Sequence, residues 1–133
     1  VLEESAGLAE AESGEVDVYV AVETNSEKCY FGITNDFGRR VLEHNPANGP
    51  GRFRMIERVK LSLTRNDARI VEQRLIQKYG GAISEEGSLA NKINSVAKGS
   101  GLWQTSVAVN AALTDVFTVL DLLNSVYDLP CVP

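Results

Sequence analysis

The chain has 133 residues, 44% of them hydrophobic and 23% charged, which is the composition of an ordinary globular protein. This length suffices for one domain with a real core and is too short for two independent ones. No apolar run is long and clean enough to predict a membrane-spanning segment, and the acidic residues 1–15 lack the pattern of a signal peptide. Because Met55 is the only methionine, we expect a fragment or a domain of a larger protein.

Charge is distributed unevenly along the chain. The formal net charge of −5 argues at first against a nucleic-acid partner. Residues 1–15 carry five glutamates and no basic group, however, whereas residues 39–78 carry ten basic and four acidic groups. Because the local field matters more than the total charge, the basic segment keeps nucleic acid open as a partner.

Two cysteines, Cys29 and Cys131, lie far apart in the sequence. Such a pair makes neither a zinc site nor a disulfide framework. We expect two free thiols, and one disulfide is the alternative in an oxidising compartment.

The first predicted elements are two strands joined by a turn. They follow an acidic leader, residues 1–14, which is expected to be frayed or to form a short helix that Gly14 ends. The stretch VDVYVAVE alternates valines with other side chains and predicts a strand. TNSE predicts a turn and KCYFGI a second strand, so that the two strands form an antiparallel hairpin. Tyr19 and Tyr30 then lie on adjacent strands, on the side away from the aliphatic rows.

A short helix is predicted next, from about Phe37 to Asn45, where Pro46 ends it. Arg40 and His44, the only histidine, lie one turn apart and share a face of this helix. Arginine binds phosphate through a bidentate fork, and histidine transfers protons near neutral pH. Taken alone, the spacing favours an ordinary exposed arginine–histidine pair.

The stretch RFRMIERVKLSL predicts a third strand. Apolar residues alternate with basic ones, at Phe53, Met55, Val59, Leu61 and Leu63 on one side and at Arg52, Arg54, Arg58 and Lys60 on the other. Such a strand gives the sheet one apolar and one cationic face. We weigh equally a cationic face that contacts nucleic acid and an ordinary solvated face.

A second helix is predicted from Thr64 or Asn66 to the glycine pair at 80–81. Its apolar stripe consists of Ala68, Val71, Leu75, Ile76 and Tyr79. Glu72 falls inside this stripe, where a carboxylate is costly to bury unless another group pairs with it. Spacing alone favours a salt bridge with Arg69, and the alternative is a metal ligand on a rigid helix.

Apolar residues recur at helical spacing from about 105 to 127 and predict a C-terminal helix. We expect it to pack on the chain's own sheet, with dimerisation or a protein interface as the alternative, and we expect Trp103 to anchor it. The expected organisation is an acidic leader (1–15), a core (16–100) and a C-terminal helical extension (101–133).

Taken in order, these segments resemble the GIY-YIG nuclease superfamily. DVY at 17–19 and, after a ten-residue gap between the tyrosines, YFG at 30–32 are similar to its paired tripeptides. Arg40 matches the family's catalytic arginine. ARIVEQRLIQKYGG resembles the helix that carries its metal-binding glutamate, here Glu72, and LANKIN resembles its closing element, whose asparagine is Asn91.

The resemblance covers roughly residues 16–95 and has two departures. Asp17 stands where the first tripeptide of the family has glycine. The segment between Glu72 and Asn91 is long, so Asn94 is an alternative to Asn91.

The resemblance implies an α+β fold, in which helices flank a small three-stranded antiparallel or mixed sheet, and cleavage of phosphodiester bonds with one divalent ion such as Mg²⁺. Glu72 would bind the ion, and Arg40 would stabilise charge on the phosphate. Tyr19 would lie near the attacking water, its phenol acidified by the ion and the arginine. Tyr30 and His44 would support it or relay the proton.

The resemblance also implies supporting residues. Asn91 would hold part of the site in place. Basic residues would contact the backbone of nucleic acid, DNA rather than RNA, without reading its sequence: Arg39, Arg52, Arg54, Arg58 and Lys60.

The same stretches resemble the C-terminal toxin domains of bacterial polymorphic toxins, including those of contact-dependent inhibition and related secreted effectors. That resemblance implies delivery into the cytoplasm of a target cell and a cognate immunity protein that covers the basic cleft. The alternatives are a housekeeping or mobile-element nuclease and a catalytically silent binding module.

Overall fold

The computed structural model describes residues 16–47, 49, 51–82, 87–91 and 107–132. The expectations for the leader (1–14), for Trp103 and for Asn94 lie outside the described residues.

Three strands form one antiparallel sheet. They are β1 (Val16–Glu23), β2 (Cys29–Thr34) and β3 (Phe53–Leu63), with β1 in the middle of the order β2-β1-β3. β1 and β2 form the predicted hairpin, in which Tyr19 is directly opposite Gly32.

The helices within the described residues are α1 (Phe37–His44), α2 (Arg65–Lys78) and α3 (Val107–Tyr127). Each begins and ends within about two residues of its prediction, as expected when caps and apolar periodicity agree. Thr64 caps α2 by accepting a hydrogen bond from the backbone N–H of Asp67 (3.2 Å). The part of the chain that the structure describes is therefore α+β, as predicted.

One face of the sheet, the valine face, packs against α2 and α3. Val16, Val18, Val20 and Val22 of β1 are fully buried there, together with the predicted stripe of α2. α3 contributes Val109, Ala112, Val116 and Leu120 to the same core. The prediction that the C-terminal helix packs on the chain's own sheet is confirmed.

Irregular pairing between β1 and β3 changes which side chains of β3 share a face. The register shifts at three places, between Val16 and Val18, between Val18 and Tyr19, and between Val22 and Glu23. Bulges of this kind interrupt the strict alternation of side chains across a strand. The prediction of one apolar row was wrong at two positions: Phe53 packs against the rings of the opposite face, and Leu61 is half-exposed.

Cys29 and Cys131 form a disulfide with their Cα atoms 5.9 Å apart, so the expectation of two free thiols was wrong. Cys29 begins β2, and Cys131 follows α3 by four residues. Sequence spacing could not reveal the bond, because the packing of α3 on the sheet brings the two residues together.

Among the described residues, α3 is long and apolar enough to cross a membrane, judged by length and composition alone. Core helices pass the same test, and one side of α3 is buried against the sheet. The absence of a membrane-spanning segment remains a prediction from the sequence.

Candidate functional site

The face of the sheet opposite the valines, the tyrosine face, carries Tyr19 and Tyr30 beneath α1. Asp36 caps α1 by accepting a hydrogen bond from the backbone N–H of Arg39 (3.1 Å). The helix ends after His44, whose carbonyl accepts a hydrogen bond from the N–H of Arg52 at the start of β3 (3.2 Å). α1 is thus fixed at both ends, and its last residue is held against the sheet.

The hydroxyl of Tyr19 and Nε2 of His44 share a hydrogen bond of 3.2 Å. Tyr19 is 1% exposed, although it lies on the face away from the main core. The ring of Tyr30 is 6.2 Å from that of Tyr19 and 5.9 Å from that of His44. The sequence-predicted tyrosines and histidine therefore do meet at one place.

Two aromatic residues that the sequence did not suggest complete this cluster. Phe37 packs edge-on against Tyr19 with ring centroids 6.1 Å apart, and Phe53 lies 4.8 Å from His44. Phe53 was not predicted at this place, because simple alternation assigns it to the valine face. The two rings help to exclude water from the hydrogen bond between the tyrosine and the histidine.

Gly32 leaves room for the phenol of Tyr19. A Cβ atom at Gly32 would collide with three atoms of the Tyr19 ring end: Cζ, Cε1 and Oη. The ring thus lies directly over the backbone of β2. The glycine of the YFG stretch is required by this close approach rather than by its backbone dihedral angles.

Arg40 lies near the histidine. Its Nε is 3.5 Å from a carboxylate oxygen of Glu43 on the next turn of α1. Burial lowers the pKa of His44, and the guanidinium groups of Arg52 and Arg40 lower it further, while Glu43 opposes them. His44 is therefore neutral at neutral pH, and Arg40 lies within electrostatic reach of the imidazole.

Glu72, on α2, acts electrostatically on the same cluster. It is 9% exposed, and its carboxylate acts on both tyrosines. Burial raises the pKa of Tyr19, and the charges of Tyr30 and Glu72 add to the rise. Burial also raises the pKa of Tyr30, with Glu72 as the next cause. The carboxylate of Glu72 and the guanidinium of Arg40 thus act on the two partners of one hydrogen bond.

Without a bound ion, these pKa directions run opposite to one expectation, which stays a prediction for the metal-bound site. The resemblance implied a Tyr19 phenol acidified by a metal ion and an arginine. In the chain itself the lowering effect of Arg52 is smaller than the effects of burial and of negative charge, so the pKa of Tyr19 lies above its usual value. His44, not Tyr19, is the group of the pair that can accept a proton at neutral pH.

Two asparagines fix the strands on either side of the cluster. Asn91 accepts a hydrogen bond from the N–H of Phe31 (2.9 Å) and donates one to its carbonyl (2.6 Å). Asn45 makes the same paired contact with Phe53, accepting at 3.0 Å and donating at 2.8 Å. Asn91 therefore holds β2 next to Tyr30, and its role in an active site stays a prediction. Asn45, which the sequence did not suggest, ties the end of α1 to β3.

The basic residues of β3 do not share one face. The guanidinium of Arg52 lies over the ring of Tyr30 at 5.2 Å, and that of Arg58 lies over Phe37 at 5.0 Å. Both contacts are on the tyrosine face. These two arginines lie at the rim of the aromatic cluster, whereas Arg39, on α1, contacts Asp36 and Glu43.

Arg54 and Lys60 lie elsewhere, so the prediction of a single cationic face was wrong. Arg54 donates to Glu27 and to the carbonyls of Tyr127 and Asp128 at the end of α3. Lys60 donates to Asp115 of α3 at 2.8 Å. Both groups contact the C-terminal helix and its end, because the bulges of β3 break the expected alternation.

Asp17, the departure from the GIY-YIG pattern, has a structural role at one of these irregular positions. It accepts a hydrogen bond from the N–H of Ser62 (3.1 Å), whose φ is +59°, and lies 3.5 Å from the guanidinium of Arg58. The aspartate thus stabilises an unusual backbone conformation at the end of β3.

Mg²⁺ commonly binds through one or two carboxylates and substrate phosphate and keeps several waters, and the buried Glu72 supplies one carboxylate. Among the described residues, no group of three or more His, Cys, Asp or Glu side chains converges. A single carboxylate of this kind fits an ion held jointly with a substrate, not one held in a closed cage of protein ligands.

Comparison of the chain with family models, with curated proteins and with solved structures found no match in any of the three.

Proposed function

We propose that this chain is a metal-dependent endonuclease of the GIY-YIG type that hydrolyses phosphodiester bonds, with DNA as the favoured substrate. The observation that carries the proposal is the hydrogen bond between Tyr19 and His44, together with the charges of Glu72 and Arg40, which act on its two partners. A carboxylate, a guanidinium and a proton acceptor around one spot are the groups that phosphodiester hydrolysis requires.

Arg40 binds the scissile phosphate and stabilises the negative charge that builds on it. A guanidinium that is already fixed near the reacting atoms needs little reorganisation during the reaction. The mostly buried environment strengthens this interaction, because the effective dielectric constant there is lower than in water.

His44 accepts the proton of the attacking water, directly or through the hydroxyl of Tyr19. Its lowered pKa keeps the imidazole neutral and able to accept a proton. Tyr19 stays protonated and orients the water through its hydroxyl, while Tyr30 excludes bulk solvent from one side.

Glu72 holds Mg²⁺ or a similar cation in this proposal. When bound, such an ion neutralises charge on a phosphate oxygen and on the leaving oxygen. Without a cation, the charge of Glu72 would repel the phosphate, so a metal requirement follows from the position of the carboxylate.

A plasmid-nicking assay tests the proposal. We expect the purified chain to nick supercoiled DNA in Mg²⁺ and not in EDTA. Glu72→Gln should fall to the EDTA background, and Arg40→Ala should lose about 10²–10³-fold in rate, as expected for removal of a group that stabilises developing charge.

Asp121→Asn and Lys78→Ala are matched controls, because they remove one exposed acidic charge from α3 and one exposed basic charge from the end of α2, which lies over the ring of Phe117 on α3. Both should cut like the wild type, and thermal melting should show all four variants folded. Binding without cutting by the wild type would indicate a catalytically silent module. Full activity of Glu72→Gln would contradict the proposed role of the carboxylate.

A narrower proposal is that the nuclease is a secreted bacterial toxin domain that acts in a target cell and that a cognate immunity protein blocks. The Cys29–Cys131 disulfide supports it, because such bonds persist in oxidising compartments and are rare in the cytosol. Co-expression with the product of the gene directly downstream separates this proposal from a housekeeping or mobile-element nuclease, since only a toxin should be relieved by such a partner.

A further inference from the structure

Three arginines lie around the candidate site, on the tyrosine face or on α1. Each of them contacts a carboxylate of the chain itself. Arg52 is 3.2 Å from Glu23, Arg58 is 3.5 Å from Asp17, and Arg40 is 3.5 Å from Glu43. The rim that would receive a polyanion is therefore internally neutralised.

The contact of Glu23 with Arg52 is the best formed of these. One carboxylate oxygen of Glu23 accepts a hydrogen bond from Nε of Arg52 (3.2 Å), and the other accepts one from the hydroxyl of Ser26 (2.6 Å). The guanidinium lies over the rings of Tyr30 and Phe53 at 5.2 and 4.7 Å. Stacking holds the cation beside the site, and the turn between β1 and β2 holds the anion against it.

Glu43 has the corresponding position on α1. It is 3.5 Å from both Arg39 and Arg40, so one carboxylate contacts two guanidinium groups. Arg40 is the proposed phosphate ligand, and a phosphate that approaches it meets the charge of Glu43.

We propose that Glu23 and Glu43 are competitors of the phosphodiester backbone, which must displace them from Arg52 and Arg40 in order to bind. This proposal rests on the proposed function. The two glutamates weaken binding of nucleic acid at the rim, so that productive binding depends on contacts made deeper in the site. They therefore determine affinity and its dependence on salt, although neither binds the metal ion nor accepts a proton in the proposed reaction.

Physical chemistry sets the size of the effect. Exposed ion pairs of this kind are weak, so a phosphate can replace the carboxylate as the partner of the arginine. Removing one carboxylate should therefore raise the affinity for DNA by roughly two- to fivefold at low salt. The gain should shrink as salt rises, because screening weakens the competing charge and the phosphate contact alike.

The test measures binding of fluorescein-labelled duplex and single-stranded DNA by anisotropy, in EDTA so that no cleavage occurs. Glu23→Gln and Glu43→Gln should each bind about two- to fivefold more tightly than the wild type at about 50 mM salt, and the gain should approach onefold at about 300 mM salt. Glu27→Gln is the matched control. Glu27 pairs with Arg54 at 2.9 Å, beside the end of α3, so the substitution changes the net charge equally but frees no rim arginine.

An equal gain from Glu27→Gln would overturn the proposal, because net charge would then explain the effect. Unchanged affinity of both rim variants would overturn it as well. These outcomes leave the nicking assay unaffected. Conversely, tighter binding by the rim variants of a chain that never cuts DNA would support the competition and contradict the proposed nuclease.

Discussion

The phenol of Tyr19 differs from that of an ordinary strand tyrosine in its surroundings. It is buried on the tyrosine face, hydrogen-bonded to the only histidine, and its pKa is raised by burial and by the charge of the buried Glu72. Burying polar groups of this kind is unfavourable unless they are paired. A fold that needed only a packed β-hairpin could place an apolar residue at this position, so the polar pair is an independent reason to test the proposed activity.

The acid limb of activity should follow the pKa of His44. Because burial, Arg52 and Arg40 lower that pKa, the imidazole loses its ability to accept a proton only below its ordinary pKa of about 6.5. The pH profile of kcat/KM for nicking should therefore have its acid limb below about pH 6.5.

Glu43→Gln should move that limb to still lower pH, since Glu43 is the group that raises the pKa of His44. Asp121→Asn, far from the imidazole, should leave it unchanged. An acid limb above pH 6.5, or one that Glu43→Gln moves upward, would contradict the assignment of His44 as the proton acceptor. The same shift makes protonation of His44 unfavourable in the folded state, so its contribution to stability falls as pH drops below the ordinary value.

The hairpin of β1 and β2 is built around the contact between Tyr19 and Gly32. Gly32→Ala should destabilise the fold by roughly 1–3 kcal/mol, the usual consequence of overpacking, because the ring of Tyr19 cannot move away without breaking its bond to His44. Urea denaturation measures this loss.

The paired background is Tyr19→Ala, which removes the ring. In this background, Gly32→Ala should lower the free energy of unfolding only slightly, so the effects of the two substitutions on stability should be strongly non-additive. Equal costs in both backgrounds would show that the glycine is needed for some other reason, such as the conformation of the β2 backbone.

The elements themselves could be predicted because their signals are local. Alternation identified β1, a capping residue and Pro46 bounded α1, and the glycine pair bounded the end of α2. What could not be predicted depends on pairing between strands. Because of the bulges between β1 and β3, Phe53 lies on the tyrosine face and the basic residues lie on different sides of β3. No residue pattern in β3 predicts a register shift.

The candidate site could be predicted in part for the same reason. Strand and helix periodicity placed Tyr19 beside Tyr30 and Arg40 beside His44. That these residues form one site was implied only by the resemblance. Asn45 and Phe37 were missed because their contacts, a paired amide bond to β3 and a ring packed on Tyr19, join segments whose relative placement the sequence does not specify.

The chain as a whole is closed by the Cys29–Cys131 disulfide, which spans 102 residues of sequence. By reducing the entropy of the unfolded chain, a disulfide that closes a loop of this size stabilises the fold by up to about 4.7 kcal/mol in the entropic model. Measured stabilisation is typically about 2–4 kcal/mol. It also ties the end of α3 to the first residue of β2, the strand that carries Tyr30.

Cys131→Ser should lower the free energy of unfolding by roughly 2–4 kcal/mol. Cys131 is only half-buried, so the substitution leaves little cavity. The wild type in dithiothreitol should fall to the stability of the variant, whereas the variant itself should not respond to the reductant. Equal unfolding free energies of wild type and variant without reductant would mean that the two thiols are free in solution.

The most direct measurement is the rate at which the purified chain nicks supercoiled plasmid in Mg²⁺, compared between the wild type, Glu72→Gln and Asp121→Asn. If Glu72 and Arg40 act on one phosphate beside Tyr19 and His44, Glu72→Gln should be as inactive as the wild type in EDTA, while Asp121→Asn cuts normally. Wild-type cutting by a folded Glu72→Gln variant, or cutting that does not depend on a divalent ion, would contradict the proposed site.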